Sequence, residues 1–157
     1  MQSKLQGQSI FRIPEALRLG HDEVRAELVR ATSLPGKIGD AASLVADLCL
    51  PHFEREEQHV YPIFGMLREF ASGEVRSQWA SVLPLVADFK RWQDSLDDQH
   101  QSIAPAIHEL LLAAYKEDNR EIVEFTYNLR MHERLEDQLL FPTVLLIGRY
   151  VEQRLGG

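Results

Sequence analysis

The chain has one cysteine, no basic tract, no apolar run long enough to cross a membrane, and no stretch that alternates with the period of a strand. A single thiol, Cys49, cannot build an internal disulfide framework, and a reducing cytoplasm is the expected location. It sits in the segment VADLCLPHF and reads as a small buried hydrophobe. A formal net charge of -7 without a cluster of Lys and Arg argues against nucleic acid as a partner. The missing apolar span, and the missing apolar core of a secretory signal near Met1, argue against a membrane partner. With no strand periodicity, the fold class is all-α.

A hydrophobic fraction of 45% over 157 residues is that of one globular domain with a sizeable core. The expected unit is a single domain over 1–157, its core over about 15–145. Residues 1–12 are polar and unpatterned and read as a tail lying against the domain. Pro14 is well placed to open a first helix from about Pro14 to Ala31, with Leu17, His21, Val24 and Leu28 in one line. SLPG at 33–36 ends it. A second helix runs from about Ile38 to Phe70, with Leu44, Leu48, His52, Glu56 and Val60 on one stripe at steps of four. Pro51 and Pro62 bend it. Residues 74–114 form one long helix, or a short helix and a long one that starts near Pro84. Leu85, Phe89, Trp92, Leu96, His100, Ile103, Ile107 and Leu111 make its stripe. Asp118 with Glu121 is a capping-box pattern opening a fourth helix through Leu129, His132, Glu136 and Leu140 to about Tyr150, after which VEQRLGG frays. Four helices with short turns predict an up-down-up-down four-helix bundle, built from two similar helical hairpins, with both termini at one end.

The hairpins are similar because the sequence repeats. HFEREEQHVYP, His52 to Pro62, and HERLEDQLLFP, His132 to Pro142, share a histidine, a glutamate four residues on, a glutamine, an aromatic residue and a proline. A lone histidine precedes each: His21 lies 31 residues before His52, and His100 lies 32 before His132. His and Glu at i and i+4 share one helix face. All six residues, His21, His52, Glu56, His100, His132 and Glu136, fall on apolar stripes. Two buried carboxylates at one depth are costly without a partner and repel each other, and cations remove both penalties. Imidazole with carboxylate suits iron, and a carboxylate can bridge two ions. Glu56 and Glu136 are assigned as bridges, with His21 and His52 on one ion and His100 and His132 on the other; a crossed pairing fits the spacings as well.

The remaining polar residues carry weaker signals. His59 shares the face of His52 about 10.5 Å further along, but its counterpart in the repeat is Leu139. His108 reads as a surface or packing residue. Glu54, Glu57, Glu133 and Asp137 read as solvated charge, with Glu57 and Asp137 better placed to support a ligand from outside. Tyr61 and Phe141, each before a matched proline, read as plugs beyond the metals, and Trp92 and Tyr127 as packing.

On HD at 21–22, HFEREE at 52–57 with YP at 61–62, DQH at 98–100, and HERLED at 132–137 with FP at 141–142, the chain resembles the hemerythrin-like superfamily, the HHE cation-binding domains. The resemblance covers roughly 15–145. It implies a four-helix bundle holding a non-haem diiron centre, oxo- or hydroxo-bridged, that reacts with O2 or NO, with manganese or zinc as other possible occupants. The family's ligand pattern falls on the same six residues. The oxygen carriers of the family have a second histidine four residues after the one on the third helix; here that place is Ala104. An open or water-filled position follows, which suits a sensor, an iron-handling protein or a redox centre rather than a reversible carrier. Members implicated in repair of iron–sulfur clusters carry an extra cysteine-containing domain, for which 157 residues leave no room. The expected function is thus a diiron protein that binds or senses O2 or NO or handles iron, alone or with a protein partner or as a homo-oligomer. The alternatives are a diiron oxidase or peroxidase-like enzyme, or a structural, partner-binding bundle with a vestigial site.

Overall fold

A computed structural model describes residues 11–156. It is all-α, with no strand among the described residues. The helices are α1 (Glu15–Thr32), α2 (Gly36–His59), α3 (Leu67–Ser72), α4 (Val82–Lys116), α5 (Arg120–Leu135) and α6 (Phe141–Gly156). A 3-10 segment, Tyr61–Met66, joins α2 to α3, and another, Ser77–Ser81, leads into α4. A π segment, Glu136–Leu140, joins α5 to α6 without a turn between them. The long rods are therefore α1, α2, α4 and the α5–α6 unit. Helix α1 packs on α2, α2 on α4, and α4 on both α5 and α6. No described helix is long and apolar enough to cross a membrane.

Several expected boundaries shift for identifiable reasons. The second helix does not reach Phe70: it stops at His59, because Pro62 has no N–H to continue the ladder and instead opens the 3-10 segment. The matched proline, Pro142, has a milder effect. The N–H of Phe141 bonds to the carbonyl of Glu136, five residues back, so the rod widens by one residue and continues. Pro51 and Pro105 are carried inside α2 and α4. The fourth rod is capped by Asn119, whose side chain accepts from the N–H of Ile122, while Asp118 takes a left-handed turn with φ 50°. Its end does not fray at VEQRL, which stays helical to Gly156. Of the expected tail, residues 1–10 lie outside the described residues; the backbone of Arg12 lies against Gly65.

The inward stripes also need correction. Leu44 is half exposed, and the buried line of α2 is Ala42, Val45, Cys49, His52, Phe53 and Glu56. A step of four overshoots the helical turn by about 40°, so the line drifts off the core unless steps of three interrupt it. Trp92 is likewise exposed, lying against His59 and under Arg55. Cys49 is buried and free, as expected.

The core has two apolar compartments. One gathers Leu28, Val45, Cys49, Phe53, Ile103, Leu110, Phe125 and Leu129. The other gathers Val60, Met66, Trp79, Phe89, Leu96, Phe141, Val144 and Val151. Along α2 the boundary falls between Phe53 and Val60, along α4 between Leu96 and Ile103, and along the last rod between Leu129 and Phe141. The six polar residues singled out by the repeat occupy this boundary.

The α1–α2 turn is tight enough to demand glycine. A Cβ on Gly39 would stand 2.0 Å from the carbonyl oxygen of Leu34. Gly39→Ala should therefore destabilise the fold by about 1–3 kcal/mol, the cost of overpacking against rigid backbone. Urea denaturation of the metal-free protein would measure it, and Gly20→Ala, which meets nothing within 4 Å, is the control.

Candidate metal centre

The six polar side chains reach the boundary layer from all four rods: His21 from α1, His52 and Glu56 from α2, His100 from α4, and His132 and Glu136 from the last rod. His21, His52, Glu56, His100 and Glu136 are buried and His132 is half-buried. All six come together. Two groups of donor atoms form, His21, His132, Glu56 and Glu136 in one and His52, His100, Glu56 and Glu136 in the other, each with its ligand atoms within 4.8 Å of one another. These buried groups can hold metal ions.

The pairing of histidines differs from the one assigned from the sequence. His21 Nε2 lies 3.2 Å from His132 Nε2, and His52 Nε2 lies 2.8 Å from His100 Nε2. The pairs are crossed between the two halves of the repeat. His52 and His100 join the second and third rods, His21 and His132 the first and last, so each pair joins a lone histidine of one half to a His-x-x-x-Glu histidine of the other.

The carboxylates connect the pairs. Glu56 turns Oε2 to His21 Nε2 at 3.4 Å and Oε1 to His52 Nε2 at 3.3 Å. Glu136 turns Oε1 to His132 Nε2 at 3.0 Å and Oε2 to His100 Nε2 at 3.3 Å. Each glutamate therefore offers one oxygen to each histidine pair. Both oxygens of Glu56, and Oε2 of Glu136, are buried without a hydrogen-bond partner among the described residues. Separations of this size are long for hydrogen bonds but natural for two ligands on one ion.

The imidazoles are aimed by their outer nitrogens. His21 Nδ1–H donates to Glu57 at 2.8 Å, His100 Nδ1–H to Asp137 at 2.8 Å, and His52 Nδ1–H to the amide oxygen of Gln99 at 2.9 Å. Carboxylates accept only, so Nδ1 carries a proton and Nε2 is the nitrogen that faces inward. Glu57 is in turn held by Arg25 at 2.8 Å. Glu57 and Asp137 thus support ligands from outside, as their spacing implied. Gln99 does the same for His52, and the residue in the matching place for His132 is Gly20, which has no side chain to offer. Phe53 stacks on His21 at 4.2 Å, and Phe141 lies parallel to His100 at 5.7 Å.

Without a cation the layer is electrostatically strained. Burial pushes the Glu56 carboxyl well above its ordinary range, and the charge of Glu136 pushes it further. Burial pushes Glu136 the same way, but the imidazoles of His100, His132 and His21 around it outweigh burial and hold Glu136 well below the ordinary range. Burial and the neighbouring His100 bring His52 down to about 4. Burial alone would lower His100 too, yet Glu136 and Asp137 raise it to about 9. The layer draws in positive charge, and in the metal-free protein a proton on His100 supplies it.

Sequence reasoning missed three residues. Tyr61 is fully buried and is no plug: its hydroxyl lies 2.8 Å from His21 Nε2 and donates to Glu136 Oε1 at 2.6 Å. Burial, then the charges of Glu136 and Glu56, raise that hydroxyl far above its ordinary range. Gln99 gave no signal beyond its place beside His100. Glu133 was read as solvated, but it is buried, ion-paired to Arg130 at 2.5 Å, and its Oε1 has no hydrogen-bond partner among the described residues. Its place one turn after the apolar Leu129 was the available clue. His59 stacks on Trp92 outside the layer, and His108 is exposed.

A cleft of about 560 Å³ reaches His100 from the surface. Ala104, Glu133, Arg130, Asp97 and Asp137 are among its walls. Ala104, one turn after His100, offers no donor atom to this space. Comparison of the chain with family models, curated proteins and solved structures found no match.

Arg130 is the cation that makes a buried Glu133 tolerable. Arg130→Met should destabilise the metal-free protein by about 1–3 kcal/mol, because Glu133 loses its partner. Adding Glu133→Gln should restore much of that loss in the double mutant, read by urea denaturation as a coupling between the two sites.

Proposed function

We propose that this chain is a non-haem diiron protein of hemerythrin-like type, its rods arranged as an up-down-up-down four-helix bundle. It binds or senses a small diatomic ligand, O2 or NO, or handles iron. The carrying observation is the double-facing geometry of Glu56 and Glu136, each with one oxygen toward His21 and His132 and the other toward His52 and His100. Unpartnered buried carboxylate oxygens and inward Nε2 lone pairs fit a dicationic pair and little else of this size. Histidine with carboxylate suits iron, with manganese or zinc as competitors.

When bound, two iron ions supply one-electron redox couples and an open coordination position. The chain's residues do the rest. Glu57, Gln99 and Asp137 fix the imidazole rings. Phe53 and Phe141 keep bulk water from the ring faces. Ala104 leaves the approach to His100 clear. The cleft is larger than a diatomic molecule requires, which favours one second reading, an oxidase or peroxidase-like enzyme. Sustained consumption of peroxide, or of O2 with a reductant, by the iron-loaded protein would select that reading. A spectral change that stops after one equivalent of O2 or NO would select the first.

The decisive test is metal content. The purified protein should carry about two irons per chain, and anomalous diffraction should place both between the histidine pairs. Because each carboxylate serves both pairs, Glu56→Gln and Glu136→Gln should each weaken both metal positions. Either variant retaining both ions at full occupancy would overturn the bridging assignment. Verified chelation should lower the melting temperature by several degrees: ligand at a hundredfold excess over its Kd stabilises by about 2.7 kcal/mol.

Acidity gives a further expectation. Metal needs the Nε2 of His100 unprotonated, and that imidazole holds its proton up to about pH 9 in the metal-free protein. Metal affinity should therefore rise as pH goes from 7 to 9, with protons released on binding at pH 7. The metal-free protein should lose stability over the same rise. A folded-state pKa above the unfolded one stabilises fully below the unfolded value, and that stabilisation is lost as pH passes the folded value. Chelator competition and urea denaturation across this range would check both signs.

A further inference from the structure

The two histidine pairs are related by the repeat, so each serves as a comparison for the other. His21 corresponds to His100, His132 to His52, and Glu57 to Asp137. Tyr61 corresponds to Phe141. Both aromatic residues lie beside the layer, but only one carries an oxygen. Phe141 lies parallel to His100 and offers a bare ring edge. Tyr61 sends its hydroxyl among the donor atoms of the other pair.

Local structure puts it there. A regular continuation of α2 would carry residue 61 about 140° around the axis from Glu56. The break at Val60 (φ -112°, ψ -60°) and the following 3-10 segment turn Tyr61 back into the core. Its side chain is fully buried between Val60 and Ile63, which are themselves buried.

The hydroxyl's contacts do not close as hydrogen bonds. It has one proton, donated to Glu136 Oε1 at 2.6 Å. Its lone pairs then face His21 Nε2 at 2.8 Å, and in the neutral imidazole, with its proton on Nδ1 against Glu57, that nitrogen also presents a lone pair. His132 Nε2 is 3.2 Å from the same nitrogen, and Glu56 Oε2 is 3.4 Å from it. Five donor atoms with no proton to share among most of them surround one small volume. A cation accepts all five.

We propose that Tyr61 is a seventh protein ligand, its phenolate oxygen completing the donor set of His21, His132, Glu56 and Glu136. The proposal rests on the dimetal reading and adds an asymmetry to it. The His21–His132 position has five protein donors, with Tyr61 and Phe53 packed against His21. The His52–His100 position has four and opens on the cleft beside Ala104. Exogenous ligands therefore bind at the second position, and the first is a permanent resident. The phenol proton leaves to solvent when the metal enters.

The test is spectroscopic and needs no activity. The full-length protein is loaded anaerobically with ferrous iron, oxidised with ferricyanide, and its iron content measured. A ferric phenolate has an intense visible charge-transfer band and resonance-enhanced tyrosinate vibrations. Both are expected in the wild type, and both should be lost in Tyr61→Phe, a variant that removes one oxygen and keeps the packing. Deuteration of tyrosine rings should shift the vibrations in the wild type. Two ferric ions per chain with no phenolate band would overturn the proposal while leaving the dimetal reading standing, as would a band that persists in Tyr61→Phe. Failure of the wild type to bind iron, manganese or zinc would overturn both. Circular dichroism of metal-free Tyr61→Phe guards against misfolding, and the wild-type spectrum decides the question even if that variant does not fold.

Discussion

Two carboxylates at one depth, sealed between two apolar compartments, are the constraint on which the rest of this structure depends. Glu56 and Glu136 cannot both be ionised in such a place without positive charge beside them. Four imidazoles surround them, and the outer nitrogens of His21, His52 and His100 are tied to Glu57, Gln99 and Asp137 so that the inner nitrogens converge. Arg25 continues the chain of support from Glu57 toward the surface. The helices are placed to bring these groups to one level. The ordinary apolar core is split in two to make room for them.

The internal repeat makes the layer nearly symmetric, and its departures from symmetry distinguish its two sides. Pro62 and Pro142 stand at matching places, yet one ends its helix in a 3-10 segment and the other is absorbed by a π segment. That difference turns Tyr61 inward as a donor and leaves Phe141 as a stacking partner. Gln99 aims His52, while the matching Gly20 leaves His132 without such support and partly exposed. Ala104 opens one position to a cleft that the other lacks among its own walls. A layer built from two copies of one motif thus acquires two unlike sides.

The sequence by itself determined the helical class and the six residues of the polar layer, and it marked Glu57 and Asp137 as the better placed of the neighbouring charges. Each of these follows from period: His and Glu one turn apart share a face, and a repeat places equivalent residues at one depth. It also marked Ala104 as a place where a donor is absent. Only the tertiary structure decided which histidines face each other, because pairing depends on how the rods pack and not on distance along the chain. Glu133 looked solvated for a similar reason: whether a charged residue beside a stripe is buried depends on the neighbouring rod and on an arginine three residues away. Tyr61 was the least legible. A helix extrapolated past Glu56 points residue 61 away from the core, and the turn that reverses this arises where Pro62 interrupts the hydrogen-bond ladder. Helical period carries information only while the helix lasts, and the decisive hydroxyl lies just beyond its end.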